Sequence, residues 1–371
     1  MLFSLTPKSR KDEHFNFEEE LEGLIKSLSL NPITIVVGMR RTGKTSLLKV
    51  ALNECKYPYI YMDPRFSTAP NYRDFAYLLK NSLQDFLNRH KSIQKRITDL
   101  LKNVKGVEIA VPGFSVDIVW KGERKLELGE LFTALDNLGK DIGKPIVFAI
   151  DEAQELRKIT WISFDKLLAY TYDNLKNIRI VLTGSEIGLL YKFLNIENPN
   201  SPLYGRYIHI IKTRRLSHEE SIEFLKKGFT ELKINIPENT LLKVVENLDG
   251  IIGWLTIFGY TCYLNKDKCI ENIDKIIDQA IEIAKQELTN LLNTRRSPRY
   301  KTLLKTLTTE KKWSEIKKLL ELKEGRTIND KTIKELLQTL IDLSIIEKKD
   351  EKYIITDPIL RKAIEKMQNP P

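Results

Sequence analysis

"ITIVVGMRRTGKTSLLKV", residues 33–50, is an apolar run that enters a glycine-framed loop and leaves it as a helical pattern. Gly38 to Thr45 satisfies G-x-x-x-x-G-K-[ST], and it stands between a strand signal and a helix signal, as a phosphate loop requires. In such a loop the backbone N–H groups and the helix N-terminus surround the phosphates, Lys44 reaches the β- and γ-phosphates of ATP, and Thr45 holds Mg²⁺. Gly38, Thr42, Gly43 and Ser46 complete the expected nucleotide contacts. Arg40 and Arg41 are surplus to this chemistry.

A strand of this kind implies a sheet, and four further β-rich runs supply it: "YPYIYMD" at 57–63, "PIVFAID" at 145–151, "IRIVLTG" at 178–184 and "YIHIIK" at 207–212. Nearly continuous apolar runs separated by helical patterns predict a parallel sheet covered on both faces, hence an α/β layered domain. The third run ends in Asp151-Glu152. Hydrolysis of ATP needs one carboxylate for hydrated Mg²⁺ and a base that orients the attacking water, so Asp151 takes the first role and Glu152 the second. In "VLTGSE", Thr183 and Ser185 stand where a polar side chain senses the γ-phosphate or holds the water, or else caps the next helix. Both readings stay open.

The pattern divides the chain into residues 1–212, 213–296 and 297–371. The first unit carries an insertion at about 72–125, with a helix from Tyr72 to about Lys102 and a hairpin turning at Pro112-Gly113, which reads as a decoration on the sheet domain. The second is helical, opening with Ser217 and Glu220 as a capping box. "NTRRSPRY" at 293–300 reads as a linker. The third reads as three helices followed by the strand pair "IIEKKDEKYIIT", a winged helix-turn-helix, with Ile333, Leu336, Leu337, Leu340 and Ile341 on the inner face of its last helix.

Composition narrows the class. With 42% hydrophobic and 30% charged residues the chain reads as a soluble protein, and no apolar run approaches the roughly 20 residues of a membrane span. The polar N-terminus predicts an intracellular, cytoplasmic protein. Cys55, Cys262 and Cys269 match neither a disulfide framework nor a zinc spacing. On one continuous helix Cys262 and Cys269 are two turns apart, too far to bridge. Of the net charge of +10, half lies in residues 297–371, with 17 Lys or Arg against 12 Asp or Glu. That balance suits a polyanion such as duplex DNA. The last helix of the unit, however, offers two lysines against Asp330, Glu335 and Asp342, few groups for reading bases.

Taken together, "GMRRTGKTSL", "FAIDEAQ", "VLTGSEIGLL", "SPLYGR", "DGIIGWLTIFG" and "TDPILR" resemble the archaeal ATPase family, an AAA+-like, STAND-related branch of phosphate-loop proteins distantly similar to archaeal replication-initiator ATPases. The resemblance implies a P-loop sheet with the sensor strand between the Walker A and Walker B strands, a helical lid and a C-terminal winged helix. It also implies that Arg206 stands where such proteins carry an arginine finger, often acting on a neighbouring subunit's phosphates in a homo-oligomer, the alternative being a surface arginine in a turn, and that Phe15 to Glu20 lie near the adenine. Two positions depart from the family pattern: Ile252 replaces a proline in the lid motif, and Phe17 replaces an arginine. For Arg40 and Arg41 three readings remain: charge on the γ-phosphate, a salt bridge to an acidic residue in the lid or a neighbouring subunit, or exposure at the loop tip. ATP or ADP, duplex DNA and a protein partner are the expected ligands.

Overall fold

The computed structural model describes residues 1–66, 71–102, 104, 107–110, 117–120, 127–265, 273–294 and 297–367. Helix α1 (Glu18–Leu30) leads into strand β1 (Ile33–Val37), α2 (Lys44–Glu54) and β2 (Tyr59–Met62). After the insertion come α5 (Leu128–Ile142), β5 (Ile146–Ile150), α6 (Phe164–Asn174), β6 (Ile178–Gly184), α7 (Ile187–Leu194) and β7 (His209–Lys212). The sheet is parallel throughout, in the order β2-β5-β6-β1-β7. The strand bearing Thr183 therefore lies between those that deliver the phosphate loop and Asp151, the order the resemblance implied.

Burial explains why these runs were legible. All five residues of β1 and of β5 are buried, because helices cover both faces, whereas edge strands β2 and β7 alternate. Successive side chains feed opposite cores. Ile33, Ile35, Phe148, Ile180 and Leu182 pack on one face; Val36, Val147, Ala149, Val181 and Ile211 pack with α1 and α2 on the other.

The insertion departs from its sequence reading. Instead of one helix there are two, α3 (Tyr72–Arg89) and α4 (Gln94–Leu101), separated by a short 3₁₀ turn at Lys91–Ile93. The break falls at His90, at φ −111° and ψ 53°, whose ring packs on Phe86 and whose Nε2 accepts from the Tyr59 N–H at 3.4 Å. A tertiary contact, with no proline or glycine, ends the helix. Nor is α3 a decoration: Phe75, Leu79, Leu83 and Phe86 are buried in the main core. The hairpin exists as β3 (Val107–Ala110) paired antiparallel with β4 (Asp117–Trp120), while its Pro112-Gly113 turn lies outside the described residues.

The chain continues as α8 (His218–Glu231), α9 (Glu238–Leu248), α10 (Ile252–Leu264) and α11 (Ile273–Thr294). Both hydrogen bonds of the Ser217–Glu220 capping box are present. Leu2, Phe3, Phe15 and Phe17 join the core of these helices. Because α10 ends at Leu264, the helical spacing argument for Cys262 fails: Cys262 is disulfide-bonded, Cys55 is a free thiol, and Cys269 lies outside the described residues.

The C-terminal unit comprises α12 (Arg299–Thr306), β8 (Lys311–Lys312), α13 (Trp313–Glu324), α14 (Asp330–Asp342), β9 (Ile346–Lys349), β10 (Lys352–Ile355) and α15 (Pro358–Lys366). It has the helices and three-stranded wing of a winged helix. No helix among the described residues is long and apolar enough to cross a membrane.

Candidate nucleotide site

At Gly38, where β1 ends, a Cβ would lie 1.9 Å from Thr213 Oγ1, so glycine alone lets the chain turn there. Thr42 is buried, donates to the Met39 carbonyl at 2.8 Å and bonds the Thr213 hydroxyl at 2.7 Å. Gly43, at φ +86°, starts α2. Lys44 lies under the loop, donating to the Gly38 and Met39 carbonyls at 2.9 and 2.6 Å. Burial pushes its ammonium down to about 8, against the attraction of Glu152 and Asp151.

Asp151 is fully buried at the end of β5. Its Oδ2 accepts from Thr45 Oγ1 at 2.8 Å, the Tyr61 hydroxyl at 3.0 Å and Arg65 at 3.3 Å, and its Oδ1 accepts from Thr183. Burial and the adjacent Asp151 charge push the Tyr61 phenol up. The Thr45 hydroxyl beside a carboxylate is the hard-oxygen donor chemistry that Mg²⁺ takes. Glu152 adopts left-handed backbone angles, φ 47° and ψ 50°, and its N–H donates to the Thr183 hydroxyl of β6 at 3.0 Å. One oxygen, Oε2, accepts from Gln154 at 2.6 Å, the Ser185 N–H at 3.0 Å and the Ser185 hydroxyl at 2.7 Å. Burial would raise this carboxyl, but Lys44 and the three hydrogen bonds outweigh it and hold it below the usual range. At neutral pH Glu152 is a carboxylate, the form a base requires.

The two loop arginines diverge. Arg40 donates to Glu186 at 3.0 Å, at the start of α7, and Arg157 reaches the same carboxylate at 3.5 Å. Arg41, at φ 65°, turns the other way, pairing with Glu287 of α11 through both terminal guanidinium nitrogens and lying 3.9 Å over the Trp254 ring. Its carbonyl accepts from the Gly253 N–H at 2.9 Å. The Trp254 indole donates to Asp357, the cap of α15, at 3.0 Å.

A cavity of about 1020 Å³ opens beside the loop, between the sheet and α10 and α11. Arg40, Arg41, Gly43, Lys44, Thr45, Ser46, Glu152 and Ser185 line it. Gly38, Thr42 and Asp151 shape the loop from behind, and Ser46 Oγ accepts from the Lys8 N–H at 3.0 Å. Arg206 is not brought to this cavity. It pairs with Asp173 at 3.0 and 2.6 Å, near the end of α6.

Residues 14–256 match the model of an ATPase domain predominantly from Archaea. The chain belongs to this archaeal ATPase family. Residues 294–356 match the C-terminal winged helix-turn-helix domain of MCM proteins. A Walker-type ATPase of Pyrococcus abyssi is 34% identical, with a TM-score of 0.82 over 98% of this chain and 100% of that one. The ORC2 protein of Aeropyrum pernix shares the fold, with a TM-score of 0.60 at 14% identity over 99% of this chain and 96% of that one. Among curated proteins no sequence matches.

In this member of the family several site residues escaped sequence reasoning. Tyr61, Arg65, Gln154 and Glu287 lie 17, 21, 110 and 243 residues from Lys44, and none sits in a motif that fixes its role. Only Gln154, in "DEAQ", stood beside a recognised signal. The departure at Ile252 has a structural counterpart: the start of α10 meets the loop through the backbone N–H of Gly253. A Cβ on Gly253 would lie 2.6 Å from the Arg41 Cβ, so the close approach depends on that glycine.

Proposed function

We propose that this ATPase binds ATP with Mg²⁺, hydrolyses it, and uses nucleotide occupancy to set the helical lid (213–296) and winged helix (297–371) against the sheet domain (1–212). The observation that carries the reading is the unbroken contact from Arg41 of the phosphate loop to Glu287 and Trp254 of the lid, and from Trp254 to Asp357 of the winged helix. Triphosphate in the cavity competes with Glu287 for the Arg41 guanidinium, so occupancy changes the force on α11. Lys44 supplies positive charge to the β- and γ-phosphates, and Glu152 orients the attacking water, with Ser185 shared between that carboxylate and the γ-phosphate. Bound to Thr45 and Asp151, Mg²⁺ would neutralise charge on the β- and γ-phosphate oxygens. Arg206, which does not line this cavity and pairs with Asp173, acts on a neighbouring copy.

Duplex DNA is the partner the C-terminal unit suits. Besides its excess of basic residues, the wing aligns Lys312, Lys352 and Lys349 across three strands on its exposed face. Like charges opposite one another cost stability unless an anion lies over them, although Glu310 accepts from Lys352 at 3.2 Å. A nucleotide-regulated DNA-binding protein with negligible hydrolysis, or an ATP-dependent protein scaffold, is the competing reading.

The test measures ATP turnover and molecular mass together, with and without duplex DNA. Lys44→Ala should bind no nucleotide, and Glu152→Gln should bind without turnover. Normal hydrolysis by Glu152→Gln removes the assigned base. DNA-stimulated turnover with assembly supports the trans role of Arg206, and no turnover under any condition favours the regulated-binder reading.

A further inference from the structure

Residues 1–9 connect the two walls of the ATP cavity and are fixed on both. On the helical wall Phe3 is fully buried, edge-on to Phe224 and Phe229 with centroids 5.4 and 5.0 Å away. Its slot exists because α8 and α10 both carry glycine there. A Cβ on Gly228 would lie 2.2 Å from the ring, and one on Gly259 would lie 2.4 Å from it. The Leu2 N–H donates to Glu231 of α8 at 2.6 Å. On the sheet wall the Lys8 N–H donates to Ser46 and the Asn53 amide donates to the Ser9 carbonyl at 2.7 Å, both on α2. Between these anchors Leu5, Thr6 and Pro7 line the cavity itself.

We infer that residues 3–9 are a tether across the nucleotide site: they hold the lid to α2 and set how long nucleotide stays bound. Five peptide units separate Phe3 from Lys8, and an extended chain of that length reaches only about 17 Å. The lid cannot swing from α2 beyond that reach unless an anchor lets go. Hydrogen bonds at the part-exposed sheet end yield before a fully buried ring does. Ser46 is the next residue after the Thr45 metal position, so nucleotide that orders the first turn of α2 also orders the tether. Ser46 thereby holds the wall of the pocket, a role apart from the phosphate contact its place in the motif suggested.

This inference rests on the cavity being the ATP site, and the experiment separates the two. Release of a fluorescent ADP analogue from the full chain is followed by stopped flow, with hydrogen exchange at Leu5, Thr6 and Lys8 measured with and without nucleotide. Failure of the unmodified chain to bind the analogue sinks the ATP reading. If it binds, Phe3→Ala should speed release by about tenfold or more, since such changes act mainly through the off-rate. Asn53→Ala, at the opposite end, should speed it by about threefold. The double variant should be no faster than Phe3→Ala alone, because cutting a tether twice adds nothing. Nucleotide should slow exchange at the three amides in the unmodified chain and not in Phe3→Ala. Multiplying effects, unchanged release in either variant, or exchange indifferent to nucleotide overturns the tether. Should Phe3→Ala fail to fold, Asn53→Ala and the exchange data decide.

Discussion

The indole N–H of Trp254 donates to the Asp357 carboxylate at 3.0 Å, joining α10 of the lid to the first turn of the last helix of the winged helix. The other carboxylate oxygen caps α15, accepting from the Ile359 N–H at 2.8 Å. Above the same ring, at 3.9 Å, lies Arg41 of the phosphate loop. One buried ring thus joins three parts of the chain.

Trp254→Phe retains an aromatic ring under Arg41 and deletes the donor to Asp357. Loss of a buried hydrogen bond to a charged acceptor should loosen α15 by about 1–3 kcal/mol. Hydrogen exchange across 359–366 should accelerate by about tenfold or more, while exchange in the sheet strands stays unchanged.

Arg40 and Arg41 should separate in mutation. Arg41→Ala should leave ATP affinity within about tenfold, roughly 1.4 kcal/mol, while reducing turnover, because its partners lie in the lid. Arg40→Ala leaves Glu186 to Arg157 alone and should disturb the sensor side without loosening α11. Titration calorimetry with turnover assays checks both, and a far larger affinity loss in Arg41→Ala would make it an ordinary phosphate ligand.

Gly188 is where the winged helix meets α7. A Cβ there would lie 2.4 Å from Asp342 Oδ1 and 2.5 Å from its Cα, beside the Lys192–Asp342 ion pair and the bond from the Ile187 N–H to Ser344 at 3.2 Å. Gly188→Ala should push α14 off α7 at a cost of about 1–3 kcal/mol. Small-angle scattering should show a more extended particle, with the helical content unchanged.

Glu220 provides the pH signature. Its hydrogen bond from Arg214, together with the Ser217 N–H, holds its carboxyl down to about 2. The stabilisation is complete above the unfolded value near 4.5 and fades as pH falls towards 2. Glu220→Gln should cost about 1 kcal/mol at neutral pH, and the difference between the two denaturation midpoints should close in acid.

Much of the fold was written in local signals. Strands β1, β5 and β6 are interior and mostly apolar, so their hydrophobic runs located them, and the loop between β1 and α2 announced phosphate chemistry through Gly38, Gly43, Lys44 and Thr45. The Ser217–Glu220 cap and the inner face of α14 followed from spacing of three to four residues. The His90 break was illegible because its cause, the Tyr59 backbone, lies 31 residues away.

The sequence by itself determined a parallel P-loop sheet, a helical unit and a winged helix, because backbone propensity and hydrophobic period act over a few residues. Tertiary structure alone decided which groups Arg40 and Arg41 contact. Their partners, Glu186 and Glu287, are 146 and 246 residues distant, and nothing in a surface-type glutamate distinguishes it until folding sets it beside the loop. It also decided that Phe3 belongs to the lid, since the slot that accepts it is made by Gly228 and Gly259 on two different helices. Pairing across such separations depends on where packed helices place their side chains, and that geometry has no local pattern to read.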